Sequence, residues 1–247
     1  MLSKSQISFV NALQQKKFRR EHALFTVEGT KSITEFLNSD YVVDTIYCTS
    51  EYLQKFSKVT EKVKLHEVTE AELKKISSLT TPQNALALVR IPEKTIAKAE
   101  SFKGTFSLAL DGIQDPGNMG TIIRTADWFG FQNIICSADT VDVYNPKVVQ
   151  ATMGSLSRMR VIYTDLPEFL TSCSIPNFGA LLNGKNIYEV DFGKEGIVIL
   201  GNEGNGLSEA VIAKTGQAVT IPRFGAAESL NVAIACSVFC SEIKRKL

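Results

Sequence analysis

The pattern of apolar and polar positions changes character near residue 105. Upstream, short β-rich runs alternate with helical spacing: Leu24–Val27, a helical stretch over Thr30–Leu37, Thr45–Cys48 and Lys64–Val68. Thr69-Glu70-Ala71-Glu72 has the Thr-x-x-Glu spacing of a capping box, in which side chains satisfy the free amides of a helix start, and predicts a helix running to about Leu79. A last strand at Ala85–Val89 closes what reads as a small α/β unit. Downstream the strands become continuous apolar runs at Phe106–Leu110, Asn133–Cys136, Met159–Tyr163, Gly179–Leu182, Ile197–Leu200 and Ala218–Ile221. A parallel sheet covered on both faces requires such runs. Helical patterns fall between them at Thr121–Phe129, Pro146–Met153, Pro167–Cys173 and Ser208–Lys214, which outlines a doubly wound α/β domain.

Two domains are therefore expected, residues 1–90 and 105–247, joined by a Pro- and Lys-bearing linker at 91–104. The last segment, Ser229 to about Lys246, predicts a helix that is apolar on nearly every side over Leu230–Cys236. Such a helix needs a second covering surface, and another subunit supplies one.

Composition narrows the picture. An apolar fraction of 44% and a charged fraction of 21% belong to a globular chain with a real core. The net charge of +1 is not that of a protein that binds nucleic acid through its overall field, so any RNA site has to be a local patch. Lys16, Lys17, Arg19 and Arg20, around Phe18 and with His22 nearby, form the candidate. A solvated helix end accounts for the same run. The scattered cysteines Cys48, Cys136, Cys173, Cys236 and Cys240 read as buried and reduced. Two histidines and no acidic cluster at ligand spacing argue against a metal. No apolar run reaches membrane-spanning length and the N-terminus has no signal core, so a cytoplasmic protein is expected.

Three loops after apolar strands carry the candidate chemistry, because ligands of open α/β sheets lie beyond the carboxyl ends of strands. The first, Asp111–Gly120, leads into a helix bearing Arg124, six residues after Asn118. In the second, Leu200–Ser208, Gly201, Gly204 and Gly206 let backbone approach a ligand closely. It is neither a dinucleotide fingerprint nor a P-loop, and Glu203 in its middle repels phosphate. The third, Thr220–Val232, contains Ser229, readable as a helix cap, and Asn231, which lies two residues into an apolar helix where an amide is costly without partners. Each loop alone has an ordinary structural explanation. Their order and spacing together do not.

The three segments resemble motifs one to three of the SpoU (TrmH-like) RNA ribose 2′-O-methyltransferases of the SPOUT class. Asn118 and Arg124 match the first, Gly201-Asn202-Glu203-Gly204 with Gly206 the second, and Ile221-Pro222 with Ser229-Leu230-Asn231 the third. Pro146–Val149 and Met153–Ser155 resemble a family segment between motifs one and two, and Phe18–Val89 is similar to the ribosomal-protein-like RNA-binding domain that often precedes the catalytic one. The resemblance implies a parallel-sheet domain with a C-terminal trefoil knot, a feature general topology rules would not predict. It implies S-adenosylmethionine as cofactor, held near Gly201, Asn202, Gly206, Ile221 and Leu230. It also implies a homodimer with the site at the interface and an RNA substrate, ribosomal before transfer. Arg124 would help activate the ribose hydroxyl by electrostatics rather than as a literal base, since a guanidinium pKa of roughly 12 or more leaves almost no neutral form. Asn118, Glu203, Ser229 and Asn231 would position it and the substrate. Two other readings remain, a binding module without catalysis and a nucleotide-dependent oxidoreductase whose fingerprint is absent.

Overall fold

Local capping decides where the first helices begin. Ser3 Oγ accepts from the Gln6 amide at 3.2 Å while Gln6 Oε1 accepts from the Ser3 amide at 2.8 Å, which starts α1 (Lys4–Ala12). α2 (Lys16–His22) ends at Ala23, which adopts the left-handed conformation with φ 50°. Neither helix follows from apolar spacing, because both are short and largely polar. Then come β1 (Leu24–Glu28), α3 (Thr30–Leu37), β2 (Val43–Cys48), α4 (Ser50–Phe56), β3 (Lys64–Glu67), α5 (Glu70–Ile76) and β4 (Ala85–Arg90). The expected Thr69–Glu72 capping box is present, but α5 stops at Ile76 rather than near Leu79. There Ser77 and Ser78 turn away, their hydroxyls donating to the buried Glu28 carboxylate at 2.5 and 2.6 Å.

These strands form a mixed sheet in the order β1-β4-β2-β3, with β4 antiparallel to both neighbours. Downstream lie β5 (Phe106–Asp111), α6 (Pro116–Trp128), β6 (Asn133–Cys136), α7 (Pro146–Ala151), β7 (Arg160–Tyr163), α8 (Leu166–Ser172), β8 (Asn177–Asn186), β9 (Gly196–Gly201), α9 (Glu209–Ile212), β10 (Gln217–Thr220) and α10 (Val232–Lys246). Six strands make one parallel sheet in the order β10-β8-β9-β5-β6-β7, as the continuous apolar runs require. Ile135, Ile197 and Ile199 pack on one face of it with Phe102, Phe169 and Val211.

This computed structural model describes residues 1–56, 63–93 and 99–247, and the chain divides into two packed units. One is Met1–Glu93 with Asp142–Ser157; the other takes the described residues of Lys94–Val141 with Arg158–Leu247. Of the expected linker, residues 94–98 lie outside the described residues, and Phe102 is wholly buried in the core of the second unit. The segment 142–157, placed by sequence order in the second domain, packs in the first. Arg19 explains why. Its guanidinium, 2% exposed, donates to Asp142 Oδ2 through Nε at 3.2 Å and Nη2 at 2.5 Å, and to the Leu13 and Gln14 carbonyls through Nη1 at 3.0 and 2.8 Å. The Tyr144 ring lies 4.7 Å from that of Phe25, and burial pushes its phenol pKa up. Gly154, at φ 95°, lies so close to Glu35 that a Cβ would come within 2.8 Å of Cγ.

Arg19 is therefore not part of an exposed cationic patch. Its charge is neutralised inside the first unit, whereas Lys16, Lys17 and Arg20 are exposed. Arg19→Ala should lower the stability of the chain by about 3–5 kcal/mol, the cost of orphaning one partner of a buried pair. Arg20→Ala should stay within about 0.5 kcal/mol. Urea unfolding followed by circular dichroism measures both, and equal midpoints would contradict the assignment.

Candidate functional site

The loops expected to carry chemistry all leave the carboxyl ends of parallel strands: β5 at Asp111, β9 at Gly201 and β10 at Thr220. β5 and β9 are neighbours, with Asp111 opposite Gly201, so their loops leave side by side. Asp111 also ties them together, its Oδ2 accepting from the Ser208 amide at 2.7 Å.

Asn202 organises the second loop. Its Oδ1 accepts from the amides of Gly204 at 2.9 Å and Asn205 at 3.1 Å, closing a tight turn, and its backbone pairs with Gly206 in both directions at 2.8 and 2.9 Å. With the oxygen committed, Nδ2 must donate elsewhere, and it meets the Gly112 carbonyl at 2.7 Å. Gly112 is itself fixed: it sits at φ 67°, and its amide donates to Ser137 Oγ at 2.8 Å, which donates to Asp139 Oδ1 at 2.6 Å. A relay thus runs from the end of β6 through the first loop into the second. Gly201 permits the turn, since a Cβ there would lie 2.3 Å from the Gly206 carbonyl carbon and 2.4 Å from the Leu207 nitrogen.

The first and third loops meet through another amide. Helix α10 starts at Val232, not at Ser229, and Asn231 is its N-cap, with Oδ1 accepting from Ala233 N at 2.9 Å and Ile234 N at 3.3 Å. The expectation that Asn231 lay inside the helix is corrected by two residues, and its amide is fully employed. Its Nδ2 donates to Asn118 Oδ1 at 2.9 Å, which leaves Asn118 Nδ2 to donate to Glu203 Oε1 at 2.9 Å. The chain of orientations ends at a carboxylate, which only accepts. Asn118 in turn is not a loop residue. α6 begins at Pro116 behind the N-cap Asp115, whose Oδ1 accepts from the Asn118 amide at 2.7 Å. Proline is suited to the first helical turn, a signal the sequence carried.

Beside this chain lies a cavity of about 750 Å3, within the roughly 300–1,000 Å3 usual for small-molecule sites. Gly201, Asn202, Glu203, Gly206, Ile221, Ser229 and Leu230 all line it, with Leu182 and Phe224. Apolar walls and exposed loop backbone suit a cofactor with an adenine ring and a thioether-like centre. The acidic Glu203 on the rim is compatible with a cationic sulfonium and hostile to phosphate. Arg124 is not in the lining. It stands exposed on α6, about 9 Å along the axis from Asn118, and among the described residues makes no hydrogen bond or ion pair. Ser229 likewise makes no hydrogen bond among them.

Other chemistries find little support. All five cysteines are free and buried, and desolvation pushes the Cys136 thiol up, so it stays protonated. For Cys236 the hydrogen bond with Cys240, 3.9 Å away, and burial act in the same direction. Among the described residues no group of three or more His, Cys, Asp or Glu side chains could hold a metal, and no helix is long and apolar enough to cross a membrane.

This geometry agrees with comparisons to known proteins. The SpoU rRNA Methylase family model matches residues 105–241 and that of the MRM3-like substrate binding domain matches residues 4–87. The chain is 31% identical over 236 residues to the 23S rRNA (guanosine(2553)-2′-O)-methyltransferase RlmP of Bacillus subtilis (strain 168), covering 94% of this chain and 93% of that one. A solved TrmH-family structure from Porphyromonas gingivalis superposes with a TM-score of 0.91 at 38% identity over the whole of both chains. An AdoMet-bound rRNA methyltransferase from Sinorhizobium meliloti gives 0.89 at 28% identity, covering 100% of this chain and 97% of that one. The parallel sheet with its loop cluster is thus that of a TrmH-like methyltransferase, and the chain belongs to the SpoU rRNA methylase family. It is an enzyme that uses S-adenosylmethionine to methylate ribose 2′-hydroxyls of RNA.

Gly201→Ala should abolish S-adenosylmethionine binding, because the added methyl collides with backbone that cannot yield. Ser137→Ala removes one hydrogen bond from the relay and should weaken binding about 5- to 10-fold, for a bond worth roughly 1 kcal/mol. Isothermal titration measures both; a Gly201→Ala protein that binds normally would show that the turn does not shape the cavity.

Proposed function

We propose that the chain methylates a ribose of ribosomal RNA, with transfer RNA as the second candidate, and that the Asn231-Asn118-Glu203 chain is the acceptor side of its site. The observation that carries this reading is that chain itself: three motifs far apart in sequence converge on one carboxylate at the rim of the cavity. The cofactor supplies, when bound, a methyl group on a positively charged sulfur. Gly201, Asn202, Gly206, Ile221 and Leu230 hold it, since each lines the cavity. Glu203 and Asn118 orient the ribose, with Ser229 at the mouth. Arg124, exposed and unpaired among the described residues, is free to lie against the ribose and its phosphate, where a fixed positive charge favours loss of the hydroxyl proton. Positioning of hydroxyl and methyl supplies much of the remaining acceleration.

The rest of the reading concerns organisation. Residues 1–90 act as the RNA-binding domain, with Lys16, Lys17 and Arg20 as phosphate contacts, 91–104 as linker and 105–247 as the catalytic domain, whose segment 142–157 packs with the first unit. The family-model matches at 4–87 and 105–241 support that division. The C-terminal trefoil knot belongs to this reading through the family-model match over residues 105–241. A homodimer is supported by a groove lined by Phe129 at the end of α6, Tyr188 in the turn after β8, and Ile234 and Val238 on α10, in which Tyr188 and Ile234 are 52% and 54% exposed. The protein works in the cytoplasm, where RNA is reached and buried thiols stay reduced.

Arg124→Ala should keep S-adenosylmethionine affinity and lose methyl transfer by about 100-fold or more, measured with radiolabelled methyl donor and ribosomal RNA from a strain lacking the protein. Unchanged turnover would remove Arg124 from the mechanism. Ile234→Glu should shift the chain to a monomer in sedimentation; an unaltered dimer would place the subunit contact elsewhere.

A further inference from the structure

The loop between β10 and α10 carries a side chain that neither the relay nor the cofactor cavity explains. Phe224 is 94% exposed, the most exposed aromatic ring of the chain, yet it stands at the rim of the cavity. Burying a phenylalanine is worth about 1.5–3 kcal/mol, so this ring contributes almost nothing to the fold where it stands. Its loop is nevertheless shaped: Arg223 Nη1 reaches back to the Ala227 carbonyl at 3.4 Å, clasping the turn that presents the ring. Beside it Gly225 borders open space, since a Cβ there would meet nothing within 4 Å. The ring thus has open space beside it and follows a cationic residue in the chain.

We infer that Phe224 is the stacking platform for the base of the nucleotide being methylated, with Arg223 drawing in an adjacent phosphate. The base is joined to C1′, the carbon next to the one that bears the reacting hydroxyl, so a ribose delivered to Glu203 and Asn118 brings its base to the rim. A nucleotide unstacked from its RNA needs a new aromatic face, and proteins that bind unpaired bases provide one. Charge selects this occupant over the cofactor. Arg223 suits a polyanion, whereas S-adenosylmethionine carries a sulfonium and an ammonium against one carboxylate. Position agrees, because a cofactor enclosed by the cavity is served by its walls at Leu200, Leu207 and Val219, not by a ring standing almost wholly in solvent. Phe224 is therefore a positioning and substrate-selecting residue, with no part in proton or methyl movement.

The inference rests on the reading of the chain as a methyltransferase of ribosomal RNA, and the experiment separates the two. The wild-type protein is assayed first on ribosomal RNA from a strain lacking it; absence of methylation there counts against the reading itself. Given activity, Phe224→Ala should lower kcat/KM for RNA by roughly 5- to 150-fold, the range that loss of one base-aromatic stack spans, mainly through KM. S-adenosylmethionine affinity and sedimentation should not change. Phe224→Trp should restore kcat/KM to within about 3-fold, because any large π-face stacks a base, while Phe224→Leu should stay as low as alanine. The inference is overturned if leucine performs as well as phenylalanine, since apolar bulk then suffices. It is equally overturned if Phe224→Ala weakens cofactor binding in step with activity, which would seat the ring on the cofactor, or if it shifts sedimentation, which would seat it on a second subunit. An unchanged kcat/KM for the alanine variant removes Phe224 from recognition.

Discussion

A side-chain amide has one acceptor end and one donor end, and the site is built on two amides whose acceptor ends are already taken. Asn231 must give its oxygen to the first amides of α10, and Asn202 must give its oxygen to the turn at Gly204 and Asn205. Each nitrogen then points in one direction only. From Asn231 the orientation passes to Asn118 and on to Glu203; from Asn202 it passes to Gly112 and back to Ser137. Preorganisation follows from valence: the side chains of Asn118, Asn202 and Asn231 are already oriented by their hydrogen bonds, so little reorganisation remains for them.

The two amides divide the labour. The Asn202 turn shapes the wall of the cavity, and its tightness demands glycine at 201, where backbone comes closer than any side chain allows. The Asn231 chain ends on Glu203, a carboxylate that also lines the cavity. The cavity wall and the Asn231 chain are thereby linked through the single loop that follows β9. Arg124, on α6, stands apart from both networks, its side chain without a partner among the described residues. Charge that is held but not neutralised is what a transition state gathering negative charge can use.

The first unit shows a parallel economy with charge. Arg19 lies in the most basic stretch of the chain, yet it is the member of that stretch withdrawn from solvent, bound to Asp142 and two carbonyls. Together with Tyr144 against Phe25 and the left-handed Gly154 against Glu35, it fastens residues 142–157 to the unit that begins the chain. Of the four patch cations, Lys16, Lys17 and Arg20 stay exposed.

Much was legible in the residues. Continuous apolar runs announced the parallel sheet because burial on both faces leaves no room for alternation, and the Thr69–Glu72 spacing announced a capping box that forms. The loops at Asn118, Asn202 and Asn231 were recognisable because their order and spacing matched one family, although each alone fits an ordinary turn. Other features are decided by contacts between residues far apart in the chain. Arg19 reads as a surface charge until Asp142, 123 positions away, arrives beside it. Asn231 reads as an awkward residue inside a helix, whereas its oxygen caps α10 and its nitrogen is taken up by Asn118, 113 positions away. The residues by themselves determined the sheet, the family and the loops that carry the chemistry, since propensity, burial and backbone freedom act locally. Only the tertiary structure decided which charges are neutralised and which amide faces which, because each depends on a partner that sequence distance conceals, and it left Phe224 standing at the rim of the cavity.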